Sequence, residues 1–516
     1  MGWVHGGALL PALWLAAAPV WGAQQAGPAP ALAHWNALAA LERSGAQVSA
    51  SAIDLGSGAV IQQLNADTRL TPASVTKLVT TAAVLDAWPA DKTFQTQLLA
   101  TAPIRDGVLQ GDLILRGAGD PSLDDQALWT LAAQLKGYGV RSVTGSLVVS
   151  PAPFGQVACG TQDRCTAQQH SDRAYNAPIA AIGVDYGSWC ILVSPTQSGQ
   201  AARVRGCGVA QLPITVSGEV RTVPAGRPTT LWVERDTNAG EDTLRIGGDI
   251  PIGTDQQVYR AMSDPARGAG LLLAEALREI GITTGPVAVS VQAPPAGSYP
   301  LASTQSLSLR ETLDRMLRFS NNYIADVLTL DLAADTGGQP SDLRSAASVL
   351  TQFMARIGHT APPYDGSPPP LFSGSGLTPE NRLSAADVTA LLTHEYRDTR
   401  HFPVFYGALT VPRDAPFAFL RGGNAAWLDQ VALKPGTMNE PVSVCGLAGY
   451  LRRINGDWIA FALIVNGGPR RPHIPIATVM EAAQADVEEL LARTAAAHTS
   501  EAGAGPRPRA RRRGVR

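Results

Sequence analysis

The sequence predicts an α+β fold in which one domain is interrupted by a large β-rich insert. Three observations carry this. Residues 45–64, "GAQVSASAIDLGSGAVIQQL", alternate apolar and polar residues around a Gly-containing turn, as a hairpin does. The chain returns to strand-like runs near its end, "DQVALKPGT", "VCGLAGYLRR" and "DWIAFALIVN". The stretch between changes character twice. From about 96 to 297, short β-like runs such as "GDLILRGA", "GSLVVS", "CILVSP", "TTLWVER" and "TLRIGG" are cut by Gly, Pro and Asp. From about 305, amphipathic helical patterns take over.

The elements follow in order. The first 23 residues, "MGWVHGGALLPALWLAAAPVWGA", are apolar over the length of a signal peptide and end in small residues at Gly22 and Ala23. They read as a secretory signal, although no Lys or Arg precedes the apolar run; an uncleaved anchor is the alternative. No later stretch is apolar for long enough to span a membrane. A helix is expected from 72, with Thr71 as N-cap and Pro72 in the first position. Two more helices are expected inside the insert, at 124–136 and 264–281. "LRETLDRMLRFSNNYIADVLTLDLA" reads as a long helical run. Further helices are expected at 384–395 and 476–494. An Arg- and Pro-rich tail from 497 reads as disordered.

Composition narrows the function. A chain of 516 residues is too long for one ordinary core. Net charge is −2, but the last ten residues, "RPRARRRGVR", hold six Arg. Without them 35 basic residues face 43 acidic ones, a net of −8. So acidic a body is a poor nucleic-acid binder. Cys159, Cys165, Cys190 and Cys207 cluster within 49 residues and Cys445 stands alone. In an oxidising compartment the near-neighbour pairs are Cys159–Cys165 and Cys190–Cys207, although four cysteines allow three pairings. The spacing does not suit a zinc ribbon. "HEYRD" at 394–398 has Asp398 where HExxH needs its second His. No catalytic metal and no cofactor are expected.

Lysine is scarce. Only Lys77, Lys92, Lys136 and Lys434 occur among 41 basic residues. Arg stays charged, whereas a buried Lys can lose its proton and act as a base. Two of the four lie in short motifs. Lys77 follows Ser74 by three positions, so the two share a helix face. Lys434 opens "KPGT", with Gly436 and Thr437, in a strand-like run. Between them "SNN" places Ser320 and Asn322 in an otherwise apolar helical pattern that these residue types do not favour. "SGSGL" at 373–377 is a small-residue loop, and Ser375 there reads as loop geometry. S-x-x-K, S-x-N and K-x-G-T in that order form the motif set of active-site serine penicillin-interacting enzymes. S-x-x-K alone is a weak signal. The ordered set is a strong one.

The settings "PASVTKLVTTAAVL", "GDLILRGAGDPSL", "YNAP" and "SNNYIADVL" extend the likeness over most of residues 45–470. The chain resembles the class C low-molecular-mass penicillin-binding proteins, the D-alanyl-D-alanine carboxypeptidase/endopeptidases. The resemblance implies a penicillin-binding/serine β-lactamase-type domain split by an insert that itself carries a nested domain. It explains the 243 positions separating Lys77 from Ser320. The implied layout is a signal at 1–23, peptidase segments at 30–95 and 298–496, insert segments at 96–178 and 241–297, a nested domain at 179–240 and a tail at 497–516.

The resemblance also assigns tasks. Ser74 would be the nucleophile, Lys77 its base and Ser320 a proton relay, with Asn322, Lys434, Gly436 and Thr437 holding substrate. Lys77 would be kept near-neutral by burial and by positive charge on Lys434. Peptidoglycan peptides would be the substrates and β-lactam antibiotics the inhibitors, in the cell envelope of an exported protein, with the periplasm the expected compartment. No nucleic-acid partner is expected, and homo-oligomerisation is left open. Two departures stand out: Pro435 replaces a Thr or Ser, and Ser373 replaces an Asp. A catalytically weak peptidoglycan- or protein-binding module on the same scaffold is the rival reading; an esterase or β-lactamase is a third.

Overall fold

A computed structural model describes residues 35–502, apart from 152, 155–156, 158–164, 167–170, 338–341, 359–366 and 454–455, and describes side chains only as far as 492 at the C-terminal end. The expected signal at 1–23, Cys159 and the end of the tail, 503–516, lie outside the described residues. No described helix is long and apolar enough to cross a membrane.

One antiparallel sheet joins the two ends of the chain. Its order is Val431–Met438, Val444–Arg452, Trp458–Asn466, Gln47–Asp54, Val60–Leu64. The N-terminal hairpin pairs with the last strand through Val48↔Val465 and Ala50↔Leu463, so residues some 400 apart in sequence are neighbours. The last strand is apolar on both faces because both are covered. Phe461, Leu463 and Val465 face a core shared with Trp35, Leu38 and the C-terminal helix Ile476–Ala502. Ala460, Ala462 and Ile464 face the helices Thr76–Ala87, Leu309–Arg318, Asn322–Asp335 and Ala385–Arg397. The small Ala residues let those helices sit close to the sheet.

Between these parts lies a second core. A five-stranded sheet, Val287–Val289, Leu147–Ser150, Leu113–Arg116, Gln95–Ala100 and Tyr299–Gln305, packs on helices Asp125–Gly137 and Pro265–Glu279. These are the two helices read from the sequence, each started by an Asp whose carboxylate accepts a backbone N–H: Asp124 from Ala127 and Asp264 from Arg267. Two three-stranded sheets follow, Arg203–Gly206/Ser188–Ser194/Gln256–Ala261 and Thr215–Gly218/Glu241–Gly247/Trp232–Asn238.

Three local expectations are corrected. The helix predicted from 72 begins at Thr76, after a 3₁₀ turn at Ala73–Val75. Ala73 has φ +47°, which helical backbone cannot accommodate, and Thr71 is no N-cap: its Oγ1 donates to Pro379 O at 3.0 Å and accepts from Arg382 at 3.0 Å instead. The long helical run from 309 is two helices broken at Ser320. The last helix continues to Ala502, past the point where the tail was expected.

Cys190 and Cys207 are bridged, with Cα atoms 5.4 Å apart, and Cys165 is also disulfide-bonded. Cys445 is free and buried in the Val444–Arg452 strand, where burial pushes its thiol up to about 12. A thiol reagent should therefore leave the native protein unlabelled and find one thiol per chain after denaturation. A second reactive thiol in the denatured protein would contradict this pairing.

Candidate active site

The sequence around Ser74 builds a strained turn ahead of a helix. Val75 N–H donates to Pro72 O at 3.2 Å and Thr76 Oγ1 to Ala73 O at 2.9 Å. A non-Gly residue at positive φ costs about 1–3 kcal/mol and persists only where its surroundings hold it. Two glycines do that for Ala73. A Cβ on Gly376 would stand 1.9 Å from Ala73 O, and one on Gly436 would stand 2.7 Å from Pro72 O and 2.9 Å from Ser74 N. The "SGSGL" loop and the "KPGT" strand therefore clasp the turn from two sides, and neither can carry a side chain at the contact. Ser74 itself stays partly exposed.

The "SNN" stretch is a helix break with three distinct tasks. The helix Leu309–Arg318 ends in a Schellman motif. Phe319 is the cap, Ser320 takes the left-handed φ of +55°, and Asn321 N–H donates back to Met316 O at 3.0 Å. Asn321 then caps the next helix, its Oδ1 accepting from Ile324 N–H at 3.0 Å. Asn322 is that helix's first residue. The break thus aims Ser320 and Asn322 into the cleft rather than along a helix face.

The third element is the edge strand of the main sheet, Val431–Met438. An edge tolerates Pro435, which has no N–H to give a further strand. Lys434 is fully buried, its Nζ 2.9 Å from Ser320 Oγ and 2.7 Å from Pro435 O. Thr437 follows, exposed.

Lys77 is also fully buried. Its Nζ lies 2.9 Å from Ser74 Oγ, 2.7 Å from Asn322 Oδ1 and 2.8 Å from the carbonyl of Ser375. The last two partners can only accept, so they take two N–H bonds whatever the protonation state. The Asn322 orientation is fixed because its Nδ2 donates to Tyr175 O at 3.1 Å. The remaining direction on Nζ points at Ser74 Oγ. When Lys77 is neutral, its lone pair faces the serine hydroxyl.

Charge in this cleft is mutual. Burial first, and then the charge of Lys77, pushes the Lys434 amine well below its ordinary range. The two buried lysines therefore act on one another electrostatically, as the sequence reading expected of Lys434 toward Lys77.

Of the residues singled out in the sequence, Ser74, Lys77 and Asn322 form one hydrogen-bonded group, and Ser320 with Lys434 a second. Gly436 packs on the nucleophile turn, and Thr437 lies on the same strand. Three contributors escaped sequence reasoning. They are the backbone carbonyls of Ser375 and Tyr175, and Asp326, whose Oδ1 accepts from Ser375 N–H at 2.9 Å and fixes the loop. Carbonyls leave no residue-type signature. "SGSGL" and "YNAP" were visible only as segments. Ser373 also has a contact, its Oγ accepting from Gly376 N–H at 3.1 Å.

The chain is similar to known proteins over most of its length. The chain is 30% identical over 435 residues to a D-alanyl-D-alanine carboxypeptidase of Actinomadura sp. (strain R39), covering 80% of this chain and 77% of that one. It is 25% identical over 442 residues to the D-alanyl-D-alanine carboxypeptidase DacB of Haemophilus influenzae, covering 82% and 86%. The crystal structure of penicillin binding protein 4 from H. influenzae superimposes with a TM-score of 0.70 at 21% identity, over 88% of this chain and 99% of that one. The fold is therefore of the penicillin-binding type. A family model described as the D-Ala-D-Ala carboxypeptidase 3 (S13) family matches residues 33–486. With that match spanning nearly the whole described chain, the protein belongs to the D-Ala-D-Ala carboxypeptidase 3 (S13) family.

Proposed function

We propose that the chain is a serine-type D-Ala–D-Ala carboxypeptidase and DD-endopeptidase of peptidoglycan peptides, working through an acyl-enzyme on Ser74. The observation that carries this is the convergence of two buried lysines on two serines: Lys77 on Ser74 and Lys434 on Ser320. Burying two amines costs stability, and buried amines held in a cleft beside nucleophilic side chains mark a functional site.

Ser74 Oγ attacks the carbonyl carbon of the penultimate D-Ala, and its proton passes to Lys77 Nζ. The oxygen of the tetrahedral intermediate is held by the N–H groups of Ser74 and Thr437. Losing one such donor typically costs ~100–1,000-fold. Collapse breaks the C–N bond. The leaving amine takes a proton from Ser320 Oγ, which Lys434 resupplies. Once Lys77 has passed its proton to the now neutral Lys434, water attacks the ester, its proton goes to Lys77 and on to Ser74 Oγ, and the shortened peptide is released. Carboxypeptidase and endopeptidase action differ only in whether the leaving amine belongs to a terminal D-Ala or to a cross-linking side chain. The envelope of an exporting cell, the periplasm in particular, is where such substrates occur. Support also comes from the H. influenzae penicillin binding protein 4, which has been solved complexed with a novel β-lactam.

Benzylpenicillin should add once, to Ser74 alone. Intact mass followed by peptide mapping reads this directly. A label on another residue, or no label at high drug concentration, would overturn the assignment and favour a binding module that has lost its chemistry.

A further inference from the structure

Asn322 is held in part from outside the peptidase sheet and helices. Its Nδ2 donates to the carbonyl of Tyr175, in the short turn Ala174–Asn176 of the insert. That bond turns Oδ1 toward Lys77. The turn is anchored on both sides. Downstream, Tyr323 Oη donates to Ala180 O at 2.9 Å. Upstream, the anchor is Asp172. Its Oδ2 accepts from Arg235 N–H at 2.9 Å and pairs with Arg260 Nε at 3.1 Å. Its carbonyl accepts from Ala261 N–H at 2.8 Å, and Arg173 forms a bridge with Arg260. Arg235 and Arg260 belong to the strands Trp232–Asn238 and Gln256–Ala261. A continuous set of bonds therefore runs from these insert strands through Asp172, three residues of backbone and Tyr175 O to Asn322 and Lys77.

We propose that Asp172 is a positioning residue of the peptidase reaction: it ties the turn carrying Tyr175 to the insert strands, so that the Tyr175 carbonyl keeps Asn322 facing Lys77. The proposal rests on Asn322 belonging to the site, as argued above. Without the Asp172 carboxylate the turn keeps its backbone ties to Ala261 and Arg260 and the Tyr323–Ala180 bond but loses two bonds to the insert strands. The Tyr175 carbonyl is then held less firmly, and the Asn322 amide turns its oxygen away from Lys77 more often. Asp172 touches no reacting atom, so its effect must pass through Asn322.

The test is a double-mutant cycle read as the second-order rate constant for acylation by benzylpenicillin, followed by intact mass. Asp172→Ala should lower the rate about tenfold, the weight of one hydrogen bond felt in the transition state. In an Asn322→Ala background it should change nothing further, because the group it positions is gone. Asp172→Asn, which keeps an acceptor for Arg235 N–H but drops the ion pair, should fall about threefold. It serves as the readable variant if Asp172→Ala does not fold. Losses that multiply in the double mutant, or an Asp172→Asn rate equal to wild type, would overturn the proposal while leaving the site intact. An Asn322→Ala protein that acylates at the wild-type rate would overturn the assignment of Asn322 and the proposal with it.

Discussion

Lys77→Arg should slow acylation by benzylpenicillin about 100- to 10,000-fold, the range that a positioned general base contributes. The guanidinium keeps the charge but has no lone pair to accept the Ser74 proton at any working pH. Geometry adds to the loss. Nζ sits among Ser74 Oγ, Asn322 Oδ1 and Ser375 O within 2.9 Å, a space shaped for one nitrogen. A planar fork there must displace the loop or the Asn. The comparison that isolates the effect is Lys92→Arg. Lys92 Nζ lies 4.5 Å above the Trp88 ring, where an arginine stacks equally well, and its acylation rate should stay within about twofold of wild type. Thermal melts of both variants separate lost chemistry from lost fold. Equal damage from the two substitutions would show that Lys77 is not the base.

What the sequence made legible follows physical lines. Side-chain chemistry at fixed spacing was readable: Ser74, Lys77, Ser320, Asn322, Lys434, Gly436 and Thr437 were all named from motifs. The split sheet was readable because Gln47–Asp54 alternates and Trp458–Asn466 is apolar throughout. The local backbone at the site was not. Thr71 and Pro72 have the residue types of a helix start, yet Gly376 and Gly436 press on the turn and hold Ala73 at positive φ. Those contacts come from residues about 300 and 360 positions away, and no local propensity reports them. At Ser320 the same happened in reverse. The helical periodicity of 309–333 continues through a break that three polar residues create. The insert's part in the site was hidden for another reason, since Tyr175 acts through its carbonyl and any residue type would offer one.

Pro435→Thr should raise kcat/KM on a D-Ala–D-Ala peptide about ten- to a hundredfold. The resemblance read from the sequence implies a Thr or Ser here, whose hydroxyl would grip the substrate's terminal carboxylate. A hydrogen bond to a charged group is worth about 1.5–3 kcal/mol, which converts to that range when it is felt in the transition state. The strand should accept the change. Pro435 pairs with Leu447 on an edge, and Lys434 Nζ already holds the Pro435 carbonyl at 2.7 Å, so the backbone is fixed by more than the ring. Thr has little more bulk than Pro and favours strand backbone. If the gain comes from the carboxylate, a peptide whose terminal carboxylate is blocked should benefit much less than the free acid. The opposing account is that Pro435 stiffens the edge strand and an arginine already holds the carboxylate. On that account Thr brings no useful bond, and the extra freedom loosens the Gly436 contact with the Ser74 turn. Activity would then stay level or fall on both peptides. The ratio of the two kcat/KM values, compared between wild type and variant, decides the matter: a ratio that moves toward the free acid supports the hydroxyl argument, and an unchanged ratio removes it without touching the roles of Ser74 and Lys77.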